Sequence, residues 1–173
     1  MPTPVAGAFI VEAQTAVDDR GGFARLFCTE AFQAVGIDFA PLQTNISHNP
    51  ALGTLRGLHF QRVPHGEAKL VQCVRGRIFD VAVDLRPESP TFRVAASAEL
   101  AAGRNTTFYI PSGCAHGFLT LEDNSDVFYC MGSPYVAGSG SGLRWDDPAF
   151  GITWPAAPQI ISDRDAGYPD FSA

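Results

Sequence analysis

Lysine is almost missing from this 173-residue chain, whose twelve basic residues are eleven arginines and one lysine, Lys69. Where arginine otherwise supplies the positive charge, a single ammonium stands out, because it is a compact point charge able to approach one developing oxyanion. Codon bias would also leave a stray lysine, so Lys69 gains weight only from its surroundings. Long apolar runs are absent too, and none approaches the length of a membrane span. The opening MPTPVAGAFIVEAQ has no basic segment ahead of an apolar one, so no secretory leader is expected. Paired cysteines are lacking: Cys28, Cys73, Cys114 and Cys130 lie far apart and form no metal spacing, which reads as reduced thiols in a cytoplasmic protein. With a net charge of −6 there is no basic surplus to hold a nucleic-acid backbone.

What is present is a chain that is 46% hydrophobic and 17% charged, of a length that suits one domain over residues 1–173 with a real core. Seventeen glycines, thirteen prolines and thirteen phenylalanines suit a turn-rich β fold. Short apolar or alternating runs predict strands over residues 8–11, 23–28, 54–61, 68–74, 78–85, 93–100, 106–110, 116–121 and 126–131. Turn signals punctuate them at Gly21–Gly22, Arg75–Gly76, Pro87–Pro90, Gly103–Asn105, Pro111–Gly113 and Asp123–Ser125. This regular spacing predicts an all-β sandwich or barrel. A short helix is expected over 29–35, with Thr29 as N-cap and Gly36 as the stop, and a second short helix after Trp154. The Gly/Ser-rich run at 136–142 reads as a flexible surface loop that covers a site.

One pair of motifs carries chemistry. A metal-binding cupin, a small jelly-roll barrel, typically shows Gly, five residues, His-x-His, a Glu a few residues on, and a closing Gly. Here Gly53 is followed at that interval by His59, but the second histidine position holds Gln61, and Lys69 stands where the Glu would precede Gly76. The second cupin motif, Pro-x-Gly-x-x-His, is intact as Pro111, Gly113 and His116. An ammonium beside a divalent cation in a partly desolvated pocket repels it strongly, and two imidazoles with an amide make a poor metal set. The pocket is therefore expected to take an anion, with no metal and no other cofactor. His65 and Glu67 fit no ligand spacing and read as solvated loop residues.

The runs Leu-Arg-Gly-Leu-His-Phe-Gln (55–61), Lys-Leu-Val-Gln-Cys (69–73), Phe-Asp-Val-Ala-Val-Asp-Leu-Arg (79–86), Ile-Pro-Ser-Gly-Cys-Ala-His-Gly-Phe (110–118) and Trp-Asp-Asp-Pro (145–148) resemble the dTDP-4-dehydrorhamnose 3,5-epimerase family. The resemblance extends from Asp19-Arg20-Gly21 to Ser162-Asp163-Arg164-Asp165. It implies a metal-free cupin jelly-roll barrel with short peripheral helices. It also implies a homodimer that acts on a nucleotide-diphosphate 4-keto-6-deoxy sugar. Epimerisation beside a ketone needs a base, an enolate stabiliser and an acid on the other face. His59 is the candidate base, since histidine serves at neutral pH; the resemblance makes Asp165 its carboxylate partner, although the sequence leaves Asp163 open. Lys69 is the candidate enolate stabiliser, with His116 as a second contact to the carbonyl, and Tyr129 matches the family's acid. Taken alone, His116 reads as a structural histidine after a tight turn, and Tyr129 as a core tyrosine with its hydroxyl satisfied. Asp80 and Asp84 share a strand face by alternation, and Asp80 is a candidate to orient Lys69 or His116. Arg56 is the expected diphosphate contact. Strict alternation would send Arg56 and His59 to opposite faces, so a bulge or bend is predicted at Gly57 between them. The resemblance further implies that Tyr135 stacks on the base and that Arg20, Phe23, Gln43 and Asn45 reach the neighbouring subunit's site. Gln43 and Asn45 also read as turn-capping residues.

Two departures from the family pattern bear on specificity. Arg25 stands where an acidic residue is usual, which leaves cytidine or guanosine diphosphate sugars open beside thymidine; Glu67-Ala68 replaces Gln-Gly ahead of Lys69. The residues do not distinguish inversion at carbon 3, carbon 5 or both. The competing expectations are a ketoisomerase on a related sugar nucleotide and a sugar-binding cupin without catalysis.

Overall fold

The computed structural model describes residues 1–172. Two five-stranded antiparallel sheets face each other as a jelly roll. The first runs in the order β1 (Phe9–Glu12), β9 (Thr106–Ile110), β6 (Lys69–Arg75), β11 (Ser125–Met131), β4 (Gln43–Asn49). The second runs β12 (Gly140–Gly142), β5 (Leu55–Gln61), β10 (Cys114–Thr120), β7 (Arg77–Asp84), β8 (Ala95–Ala101). A separate ribbon pairs β2 (Thr15–Asp18) with β3 (Gly21–Ala24), and the two helices are short, α1 (Thr29–Ala34) and α2 (Asp163–Ala166). No described helix is long and apolar enough to cross a membrane.

Packing explains why some strands read as continuous apolar runs. In β7, Ile78 and Ala82 join the core between the sheets, while Val81 and Val83 face outward under Leu143, Phe150, Trp154 and Phe171 of the C-terminal segment. Both faces are thus covered, and the whole of β10 is buried in the same way. A third cluster packs Phe32 of α1 with Ile37, Phe39, Leu70 and Tyr109 on the outside of the first sheet. The N-terminal run Phe9 to Glu12 pairs with Tyr109 to Thr106 and forms the edge of the first sheet.

Three expectations need correction. The N-cap of α1 is Cys28, with no side-chain cap, because Thr29 already lies inside the helix; Gly36 does end it, at φ +79°. The run Gln43–Asn49 forms a strand that no hydrophobic pattern announces. Its inward side chains are Gln43, Asn45, Ser47 and Asn49, while Thr44, Ile46 and His48 are exposed, so its polar face is the inner one. The Gly/Ser-rich run is not a free loop: Gly140, Ser141 and Gly142 pair with Gln61, Phe60 and His59 as an edge strand.

Candidate active site

Between the sheets lies a cavity of about 610 Å³. From the second sheet it receives Arg56, His59, Gln61, His116 and Phe118; from the first, Gln43, Asn45, Ser47, Lys69, Tyr129 and Met131. Tyr135, Gly138 and Gly140 line its mouth, with Arg164 and Tyr168 from the C-terminal segment.

Gly57 solves the alternation problem in β5. Against β10, His59 registers with His116 but Arg56 with Phe118, so β5 holds one residue more than its partner between these pairs. Gly57 sits at φ +139°, and a Cβ there would stand 2.5 Å from the Gly117 Cα, so only glycine fits. Arg56 and His59 accordingly line one cavity, and Asn49 Oδ1 accepts a 2.7 Å hydrogen bond from Arg56 Nε.

His59 and Asp165 form a close pair, with 2.8 Å between Nε2 and Oδ1. Asp165 is buried on α2, where Ser162 Oγ accepts its backbone N–H as the N-cap. Its second oxygen accepts the Gly57 N–H at 3.1 Å. Burial alone would raise the carboxyl, but the His59 hydrogen bond and charge, the Gly57 N–H and Arg164 outweigh it and hold it down at about 2. An ionised carboxylate can only accept, so His59 Nε2–H donates to it and the lone pair resides on Nδ1. Arg164 Nη2, at 3.4 Å from the same Nε2, is the weaker neighbour. The alternative, Asp163, is exposed on the same short helix.

His116 has a parallel arrangement. Its Nε2 lies 2.8 Å from Asp80 Oδ1, and Asp80 is completely buried with its other oxygen unpartnered. Burial pushes the Asp80 carboxyl upward, against the opposing pull of His116 and Lys69. Asp80 therefore serves His116, whereas Asp84 is engaged by Arg86, Ser89 and Thr91 in a network remote from the cavity. The Tyr129 phenol is raised by burial, more than Arg56 pulls it down, and so stays protonated at neutral pH. Lys69 is 5% exposed; its Nζ donates to the His59 carbonyl at 3.3 Å and pairs with Glu67 Oε1 at 3.2 Å.

Several expectations change here. Gln43 and Asn45 line this chain's own cavity rather than a neighbour's, because β4 borders β11 and Asn45 registers with Tyr129. Arg20 and Phe23 lie on the exposed β2–β3 ribbon, away from the cavity, with Arg20 paired to Asp18. Glu67 is not a solvated loop residue: it is buried and holds both Lys69 and Gln61, while His65 is exposed. Sequence reasoning missed Arg164 and Tyr168, whose only signal was proximity to Asp165 in Ser-Asp-Arg-Asp, and Ser47, whose strand had no apolar pattern.

A jelly-roll barrel whose central cavity opposes a histidine–carboxylate pair to a tyrosine, with a lysine where a metal-binding cupin has a carboxylate, defines a cupin-type epimerase. The family model described as dTDP-4-dehydrorhamnose 3,5-epimerase matches residues 2–173. The chain is 42% identical over 155 residues to the enzyme of that name from Sinorhizobium fredii, covering 89% of this chain and 80% of the relative. The crystal structure of the Elizabethkingia anophelis dTDP-4-dehydrorhamnose 3,5-epimerase superposes with a TM-score of 0.94 at 36% identity, covering 99% of this chain and 94% of that one. A Legionella pneumophila 3,5-epimerase in complex with dTDP-4-keto-L-rhamnose superposes at 0.86 with 33% identity, over 96% and 94% of the two chains. The chain belongs to the dTDP-4-dehydrorhamnose 3,5-epimerase family.

Proposed function

We propose that this isomerase inverts carbons 3 and 5 of a dTDP-linked 4-keto-6-deoxy sugar through an enolate, without a metal. His59 Nδ1 removes the proton α to the ketone, and Asp165 braces the ring and stabilises the imidazolium. Lys69 and His116 stabilise the enolate oxygen as charge develops on it. Tyr129 returns a proton to the other face. Arg56 contacts the diphosphate, and Tyr135 stacks on the base beside Gln43 and Asn45.

The observation that carries this reading is that His59 and Tyr129 enter one cavity from opposite sheets, on β5 and β11. Inversion needs a base on one face of the sugar and an acid on the other; a ketoisomerase or a binding protein does not. Metal independence is supported by the donor set. Gln61 and Lys69 stand at two ligand positions, and the Lys69 ammonium would repel a divalent cation in the same pocket. A homodimer is supported by the isolated β2–β3 ribbon, which leaves Val17 and Phe23 77% and 75% exposed. A lone two-stranded ribbon is marginal in water and gains stability by packing. In the dimer, Phe23 and Arg20 reach the partner's nucleotide site. Arg25 beside this ribbon bears on the choice of base.

The test is solvent exchange followed by NMR in deuterium oxide with thymidine, cytidine and guanosine diphosphate 4-keto-6-deoxy sugars. Deuterium should enter carbons 3 and 5 of the thymidine sugar. His59→Ala should abolish exchange while the fold persists. No exchange in the wild type, migration of the carbonyl, or full exchange in His59→Ala would each overturn the assignment.

A further inference from the structure

The ammonium of Lys69 is held by a clamp that the reaction scheme above does not require. A lysine has three N–H donors on a flexible four-carbon stem. One is directed to the His59 carbonyl at 3.3 Å, and Glu67 Oε1 holds the ammonium as an ion pair at 3.2 Å. Donor capacity remains for the cavity that Lys69 lines. Glu67 is itself fixed, because its Oε2 accepts a 2.7 Å hydrogen bond from Gln61 Nε2. Gln61 is fixed in turn: its Oε1 accepts the Val136 N–H at 2.9 Å and the Ser139 hydroxyl at 2.6 Å. All three side chains are buried.

Resting on the assignment of Lys69 to the enolate, we propose that Glu67 is a positioning residue. Its carboxylate holds the Lys69 ammonium in place to donate to the substrate ketone. Through Gln61 it ties that ammonium to the 134–139 segment carrying Tyr135. The two positions at which a metal-binding cupin would keep ligands, Gln61 and Lys69, thus belong to one polar chain with Glu67 between them. The carboxylate also offsets part of the field the enolate would feel, so its value lies in direction rather than in charge. An ammonium already aimed loses no orientation when the enolate forms, which is the advantage of a preorganised donor.

The experiment compares steady-state kinetics of Glu67→Ala, Glu67→Gln, Lys69→Met and the double variant Glu67→Ala/Lys69→Met. Glu67→Ala removes the anchoring oxygen and should lower kcat about tenfold, with KM changed less than threefold. Glu67→Gln keeps one acceptor oxygen for Lys69 but loses the one that Gln61 uses, and should retain clearly more kcat than Glu67→Ala. In the Lys69→Met background, Glu67→Ala should cost no further factor of two, since there is no ammonium left to aim. Wild-type kcat in Glu67→Ala, an equal loss in Glu67→Gln, or a full multiplicative loss in the double variant would overturn the proposal. Wild-type kcat in Lys69→Met would instead remove the assignment of Lys69 on which it rests. Should Glu67→Ala not fold, Glu67→Asp, which withdraws the carboxylate by one methylene, is read in the same two backgrounds and against the same outcomes.

Discussion

At the scale of single residues, burial raises the Asp80 carboxyl and the Tyr129 phenol, whereas hydrogen bonds and charge lower Asp165 against its own burial. Its folded-state pKa lies below its ordinary value, at about 2, so its contribution to stability is fully present above about pH 4. That contribution drains away as the pH falls through the folded value. For a carboxyl only 3% exposed it is on the order of 2 kcal/mol. Urea denaturation at pH 7, 4 and 2.5 should show Asp165→Asn losing its deficit against wild type toward the lowest pH; a deficit that persists unchanged would refute the linkage. The sequence disclosed His59, His116 and Lys69 because departures from a known spacing are visible in one dimension. It did not disclose the burial of Glu67, because nothing in Pro-His-Gly-Glu-Ala says that its carboxylate turns into the cavity toward Gln61.

At the scale of elements, β5 and β4 show what alternation can and cannot report. In β5 a conflict between two desired side-chain directions exposed the bulge in advance, since Gly57 was the only residue able to absorb it. Gly57→Ala should force the Cβ against Gly117, with φ +139° adding strain. A loss of at least 2 kcal/mol in chemical denaturation, together with a fall in kcat, is expected; full activity with unchanged stability would contradict it. In β4 the rule fails for a functional reason. A strand whose inner face lines a polar cavity shows hydrophobic and polar positions with their usual meaning exchanged. Only its pairing with β11, Asn45 opposite Tyr129, gives it away. The Gly/Ser-rich run misled for a related reason: glycines suggest freedom, yet β12 is zipped to β5 and Gly142 lies against the Tyr168 ring.

For the whole molecule, the two sheets supply a rigid frame, while the nucleotide contacts proposed for Arg20 and Phe23 depend on a ribbon that strand-pairs with neither sheet. The chain should sediment as a dimer at micromolar concentration, and Phe23→Ser should raise KM for the sugar nucleotide with a smaller effect on kcat. A fully active monomer would remove both the ribbon's role and the dimer. The order of the chain carries a different consequence. His59 lies in an early strand and meets its carboxylate 106 residues later, in the last helix, after the C-terminal segment has crossed the outside of the second sheet. Nearly every strand pairing can therefore close while the reaction centre is still half made. During synthesis, a barrel that folds before residue 165 is made would hold His59 without the carboxylate proposed to brace it.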